Sequence, residues 1–215
     1  MIKILCGWGR SKNIKCNIKS PKNIKELKKI SKKNLIARGL GRSYGDSSIQ
    51  KNCTVITTNL KKITKFDKKS GIIEVEVGIS IKQILENIIP HGWFLPVTPG
   101  SKFITIGGMI AADVHGKNHH KFGSFRHQII ELKILNEKRK IISCSKRKNP
   151  NLFNFTIGGM GLTGIIYSCK FKLIRITSNL MYQQKIKNKN IYETIKSLKK
   201  SSKWSYNVAW IDTSA

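Results

Sequence analysis

The clearest pattern along the chain is a switch between two spacings of apolar residues. In residues 72–77, Ile73, Val75 and Val77 alternate with Glu74 and Glu76, which predicts a strand with one wet face. With a further strand at 63–66, which begins on Ile63 and ends on Phe66, and a turn through Asp67, Ser70 and Gly71, it predicts a hairpin. Directly afterwards Ile81, Ile84, Leu85, Ile88 and Ile89 fall at helical spacing behind a capping box of Ser80 and Gln83, and Pro90 and Gly92 end that helix. The same reading gives a lysine-rich helix from Ser20 and Pro21 to about Lys33, with Ile24, Leu27 and Ile30 as its narrow apolar stripe. Short strands follow at 35–37 and 54–58. A second hairpin comes at 130–135 and 140–144, a short helix near 152–155, and a long strand at 165–176.

After Thr177 the pattern thins. A strand near 182–186, a helix from Asn190 with Glu193 at its capping position and Ile191, Ile195 and Leu198 inward, and a strand at 204–211 are expected. Such a unit cannot cover both of its faces, so residues 177–215 read as the opening of a second domain behind a first at 1–176.

Of the 215 residues, 40% are hydrophobic and 24% charged, so a chain this size can build a core and is not a disordered polymer. No apolar run approaches the roughly 20 residues of a membrane span, and the N-terminus lacks the pattern of a secretory signal. Five cysteines show no paired spacing, which predicts reduced thiols and a cytoplasmic setting.

The formal charge of +30 suggests a polyanion partner at first sight. However, the 41 basic residues are 34 lysines and 7 arginines, spread with abundant Ile and Asn, whereas nucleic-acid readers depend on arginine forks and interleaved aromatics. Solvated lysine-rich faces are the simpler expectation, and nucleic acid is not an expected partner.

Three glycine-dense segments carry the candidate chemistry. The first runs Ala37, Arg38, Gly39, Leu40, Gly41, Arg42, Ser43, Tyr44, Gly45, Asp46 and follows a strand; its glycines permit positive φ and close backbone approach, so successive N–H groups form an anion nest. The second contains Thr105, Ile106, Gly107 and Gly108 at the start of a helix of small residues, whose free N–H groups suit a diphosphate while Ala111 and Ala112 allow close approach. The third, Gly159, Gly161 and Gly164, has the letters of a dinucleotide fingerprint but follows a helix, precedes a strand and lacks the downstream acid. It reads as a turn that permits a close approach of backbone. His115, His119 and His120 lack an accompanying carboxylate or thiolate cluster, so no metal is expected, and no serine triad is visible.

Together with Gly7-Trp8-Gly9-Arg10, the His115-Gly116-Lys117-Asn118 run and Gly161 to Ile166, these segments resemble the FAD-linked oxidases of the vanillyl-alcohol oxidase / p-cresol methylhydroxylase superfamily. The order and spacing agree over residues 7–176. The resemblance implies an α+β fold: a PCMH-type FAD-binding domain of two α+β subdomains with the flavin between them, then the start of an α+β substrate (cap) domain. It implies that Ala37, Arg38, Gly39, Leu40, Gly41, Arg42, Ser43, Tyr44, Gly45, Asp46 and Ser47 wrap the diphosphate. Gly100, Thr105, Ile106, Gly107, Gly108, His115, Gly116, Lys117, Asn118 and Ile166 would also contact FAD, and Tyr44, His115 and Lys117 would face the substrate. Relatives with covalent flavin carry a histidine where Arg42 stands, so non-covalent FAD is implied.

The members that match best imply oxidation of the 2′-hydroxyl of a polyprenyl-phosphate ribose to a ketone. That step is half of an epimerisation supplying an arabinan precursor for the cell wall, and a separate NAD(P)H-dependent reductase completes it. The lipid tail implies peripheral contact with the inner membrane surface. The family's catalytic base matches no position up to 215. The motifs leave open a sugar, alditol or sugar-lactone oxidase with a soluble substrate, and a cationic binding protein without chemistry.

Overall fold

The computed structural model describes residues 1–30 and 34–213. Its first sheet has the order β1-β2-β4-β3, from β1 (Ile2–Leu5), β2 (Ile14–Lys19), β3 (Ile36–Arg38) and β4 (Thr54–Ile56). β1 and β2 pair antiparallel, while β4 lies parallel to both β2 and β3. Neither β1 nor β2 was among the elements expected from sequence: Ile2 and Ile4 of β1 are 63% and 69% exposed and mark no buried face, whereas β2 turns Cys16 and Ile18 inward.

α1 (Ile24–Lys28) starts later than expected. Asn23, not Ser20, caps it, accepting from the Glu26 N–H at 3.0 Å, while Glu26 reaches back to the Lys22 N–H at 2.9 Å. Asparagine caps as well as serine does, and only Asn23 has a glutamate three residues on. Ser20 instead receives the Asn59 amide at 3.1 Å. The expected end near Lys33 lies outside the described residues. Fully buried Leu27 holds α1 down on Val55 and Leu60, a side chain whose burial stabilises by about 2 kcal/mol.

The second sheet is antiparallel, in the order β5-β6-β10-β8-β9: β5 (Ile63–Asp67), β6 (Ile72–Glu76), β8 (Ile129–Leu135), β9 (Ile141–Cys144) and β10 (Ile165–Lys172). One face carries Ile73, Val75, Leu132, Ile134, Cys169 and Phe171 into the main core. There it meets α2 (Ile81–Ile88), α3 (Ile106–Ala111) and α5 (Pro150–Thr156), and Phe125 stacks edge-on against Phe171 with centroids 5.2 Å apart. The Ser80 capping box is formed, and α2 passes through a 3-10 turn containing Pro90 to Gly92 at φ 74°. The long strand expected at 165–176 is interrupted: β11 (Ile174–Arg175) leaves the sheet to pair with β7 (Trp93–Phe94). A short helix, α4 (His119–Phe122), follows the histidine run.

The two halves meet where Leu135 and Ile165 of the second sheet join the small core of the first with Leu27, Val55 and Leu60. Gly78 is obligatory at this junction, because a Cβ there would stand 1.8 Å from the Thr57 carbonyl oxygen and 2.7 Å from that of Leu60. On the opposite face of the second sheet the buried Glu76 accepts from the Lys62 N–H (2.9 Å) and the Tyr167 hydroxyl (3.1 Å).

Beyond residue 176 the only regular element among the described residues is α6 (Ile191–Lys200), capped by Asn190 as expected. Two expectations fail there. No strand forms at 182–186 or 204–211 among the described residues, and Ile191, Ile195 and Leu198 remain 49%, 44% and 36% exposed instead of turning inward. A strand needs a ladder partner and an apolar stripe needs a surface to cover it; among the described residues neither is supplied.

Candidate functional site

A cleft enclosing about 80 Å³ opens between the two subdomains. Ala37, Gly39, Ser43, Ser47, Ser48 and Thr57 form the wall from the first. Val77, Thr105, Gly107, Gly108, Ala111 and Ala112 form the facing wall, and Met160, Gly161, Gly164 and Ile166 close one end. The walls are built from small side chains, which leaves backbone accessible.

The first loop is held open from beneath. Arg38 turns its guanidinium under it, donating to the Cys6 carbonyl at 2.7 Å and to Ser48 Oγ at 3.0 Å, and burial lowers its pKa from the ordinary value. Gly41 and Gly45 have φ of 69° and 60°. A Cβ at Gly41 would lie 2.3 Å from the Arg38 guanidinium. Gly39 is needed for close approach instead: its Cβ would stand 2.2 Å from Thr105 Oγ1. Arg42 lies 4.4 Å above the Trp8 ring and donates to the Phe103 carbonyl at 3.3 Å, linking the loop to the second subdomain. The Trp8 N–H donates to the Ser43 carbonyl. Among the described residues, none accepts a hydrogen bond from the backbone N–H groups of Gly39 to Ser43.

The start of α3 behaves differently from the expectation of free N–H groups. Ile106 and Gly107 donate to the carbonyls of Ile79 and Val77 at 3.0 and 2.8 Å, and Gly108 donates to its own cap, Thr105 Oγ1, at 3.2 Å. The chain between β6 and α2 crosses the helix start and takes those donors. The amides left without an acceptor at this cleft are therefore those of the first loop, and α3 contributes shape.

The remaining expected site residues divide. Ile106 is fully buried and faces the core. Leu40 and Tyr44 point outward, 42% and 82% exposed, and Gly45 and Asp46 lie at the turn beyond them. Gly100, His115, Gly116, Lys117 and Asn118 are not among the residues that line the cleft, and of these Gly116 and Asn118 lie against Thr98 and Pro96. Asn118 is fully buried; its Nδ2 donates to the Pro96 carbonyl at 2.6 Å while its Oδ1 has no partner. A Cβ at Gly116 would lie 2.7 Å from both that Oδ1 and the Thr98 carbonyl. His115 stacks on His119 at 5.7 Å, and the Lys117 carbonyl accepts from the Asn207 N–H at 3.0 Å. Sequence reasoning missed Ser48, Thr57 and Val77 as lining. Gly78, which ends an alternating strand, was the available sign that backbone comes close there.

The residues fit a dinucleotide diphosphate: a run of unpaired amides, two arginines at the same loop and glycines whose side-chain space the facing wall fills. Residues 18–145 match the family described as FAD binding domain.

The chain belongs to this FAD-binding oxidoreductase family.

The FAD-binding domain found here, PCMH-type and α+β, is similar to decaprenylphosphoryl-β-D-ribose oxidase of Mycolicibacterium smegmatis: 31% identical over 221 residues, covering 98% of this chain and 48% of that enzyme. It is similar to Δ(24)-sterol reductase of Rattus norvegicus, 26% identical over 157 residues (71% and 30%), and to D-lactate dehydrogenase of Anaerostipes hadrus, 27% over 135 residues (60% and 28%). The chain thus spans half or less of the length of these relatives.

Proposed function

We propose that this chain is the FAD-binding part of an oxidoreductase that oxidises a CH–OH group of a sugar, the 2′-hydroxyl of a polyprenyl-phosphate ribose. The observation that carries the reading is the first loop: its amides lie unpaired at a cleft between two subdomains, in a chain matched along 98% of its length to a decaprenylphosphoryl-ribose oxidase. Bound FAD supplies the hydride acceptor. The amides of Gly39 to Ser43 hold the diphosphate, Thr105 and Gly39 keep the two walls in register, and small residues at positions 107, 108, 111 and 112 admit the cofactor. Tyr44, His115 and Lys117 face the sugar, and a base from the part of the relatives beyond this chain takes the hydroxyl proton.

FAD is held non-covalently in this reading, since Arg42 engages Trp8 and Phe103 and offers no nucleophile for a flavin bond. Residues 177–215 begin a substrate domain. The ketone passes to a separate NAD(P)H-dependent reductase, which completes an epimerisation serving cell-wall arabinan. No helix among the described residues is long and apolar enough to cross a membrane. In this reading contact with the lipid tail is peripheral, at the cytoplasmic side of the inner membrane, and the lysine excess favours anionic lipid.

The test is anaerobic. FAD-loaded protein is mixed with polyprenyl-phosphoryl ribose, with an alditol, or with a sugar lactone, and flavin bleaching is followed. Bleaching by the lipid-linked ribose alone supports the reading; bleaching only by a soluble sugar would replace the substrate.

A further inference from the structure

Outside the cleft, one arginine gathers three segments of backbone. Arg126 donates through its own N–H to Asp113 Oδ1 at 3.1 Å and through Nε to Asp113 Oδ2 at 3.2 Å. The same guanidinium reaches Asn154 Oδ1 at 3.2 Å and the carbonyl of Ile157 at 2.9 Å. Asp113 follows α3 and holds a φ of 41°, while Ile157 is the residue on which α5 ends. The fork therefore ties the C-terminal ends of two helices together.

What comes next in the chain is the end wall of the cleft. The N–H groups of Gly158 and Met160 donate to the carbonyls of Ile110 and Ala111, each at 2.9 Å. Met160 and Gly161 line the cleft beside Ala111 and Ala112. Met160 holds a φ of 50° and Gly161 one of 80°, so this turn has little local preference for its shape and depends on anchors at its entry. Charge-assisted bonds from a planar fork are strong and directional, and the single nitrogen of lysine cannot span Asp113, Asn154 and Ile157 at once.

We propose that Arg126 is a positioning residue for the cofactor cleft: it sets the separation between the end of α3 and the Met160–Gly161 turn, and through it the affinity for FAD. This rests on the cleft being the FAD site. The experiment compares the full chain with Arg126→Lys, Arg126→Gln and Asp113→Asn, with Asp67→Asn in the remote β5–β6 turn as the control.

Amide hydrogen exchange without FAD is the first readout. Gly158 and Met160 should exchange about tenfold faster or more in the Arg126 variants, while β8 and β10 keep their rates. FAD titration is the second, with the dissociation constant rising about tenfold or more in the Arg126 variants and staying within about twofold in the control. Unchanged exchange at Gly158 and Met160 would overturn the clamp whatever FAD does. Faster exchange with unchanged affinity would overturn the positioning role and leave a structural one. Failure of the unaltered chain to bind FAD would sink the cofactor reading and this role with it, while the exchange rates still report the clamp.

Discussion

Replacing Gly39 with alanine tests how the two walls of the cleft are joined. Gly39 does not adopt a positive φ, so alanine meets no backbone penalty and the cost is steric. The added Cβ would stand 2.2 Å from Thr105 Oγ1 and 3.0 Å from Cγ2, and Thr105 is 2% exposed with no room to withdraw. Overpacking of this kind costs about 1–3 kcal/mol. Thr105→Ala alone removes the cap on the Gly108 N–H (3.2 Å) and costs about 1 kcal/mol. In the double variant the methyl group added at position 39 enters the space that the threonine side chain vacated, so only the lost cap remains. Urea unfolding of the four proteins should then give a coupling of about 1–3 kcal/mol, equal to the overpacking cost that is relieved, with the double variant less destabilised than the sum. Additivity to within about 0.5 kcal/mol would refute the claimed contact between the first loop and the α3 cap.

The junction glycine gives a sharper contrast: Gly78→Ala, pressed against two immovable carbonyls, should cost about 3 kcal/mol or more. Gly100→Ala, with open space around it, should leave urea stability within about 0.5 kcal/mol. Burial and Glu76 push the Tyr167 hydroxyl up from 10.0 to about 12. Its contribution is thus complete below pH 10 and fades as pH rises through the folded value. The stability gap between the wild-type chain and Tyr167→Phe should narrow over that interval; a gap independent of pH would contradict the bond to Glu76. Burial raises the thiol of Cys144 to about 11 and that of Cys169 well above its usual range, whereas Cys6 is only half-buried. A thiol reagent should therefore modify Cys6 first in the native chain and all five cysteines after unfolding.

Much of the second subdomain was legible because its periodicities are strict. The alternation at 72–77 and the capping box at Ser80 depend on local rules that the structure obeys. β1 was not legible, since an exposed edge strand leaves no buried stripe in the sequence, whereas β2 does alternate Ile14, Cys16 and Ile18 toward the core and its signal was missed beneath the lysine and asparagine between them. α1 was displaced by one competing cap, and β10 ended early because residues 174–175 found a partner in β7. Within the site, the glycines of the first loop signalled close backbone approach, but not that the neighbour packed against Gly39 is Thr105. The amides of α3 misled, because a helix start looks free in sequence until a distant segment, here Val77 and Ile79, brings carbonyls to it. Likewise the fork of Arg126 joins residues 13 and 31 positions away, a link that no local pattern encodes.

The central claim is that the cleft holds FAD without a covalent bond. The direct measurement is the visible absorbance of the protein purified in the presence of FAD, recorded before and after acid precipitation. Flavin absorbance that co-elutes with the protein and then moves wholly to the supernatant is the expected result. A folded but colourless protein would contradict the claim that the cleft holds FAD, and flavin retained in the pellet would contradict the claim that it is unlinked.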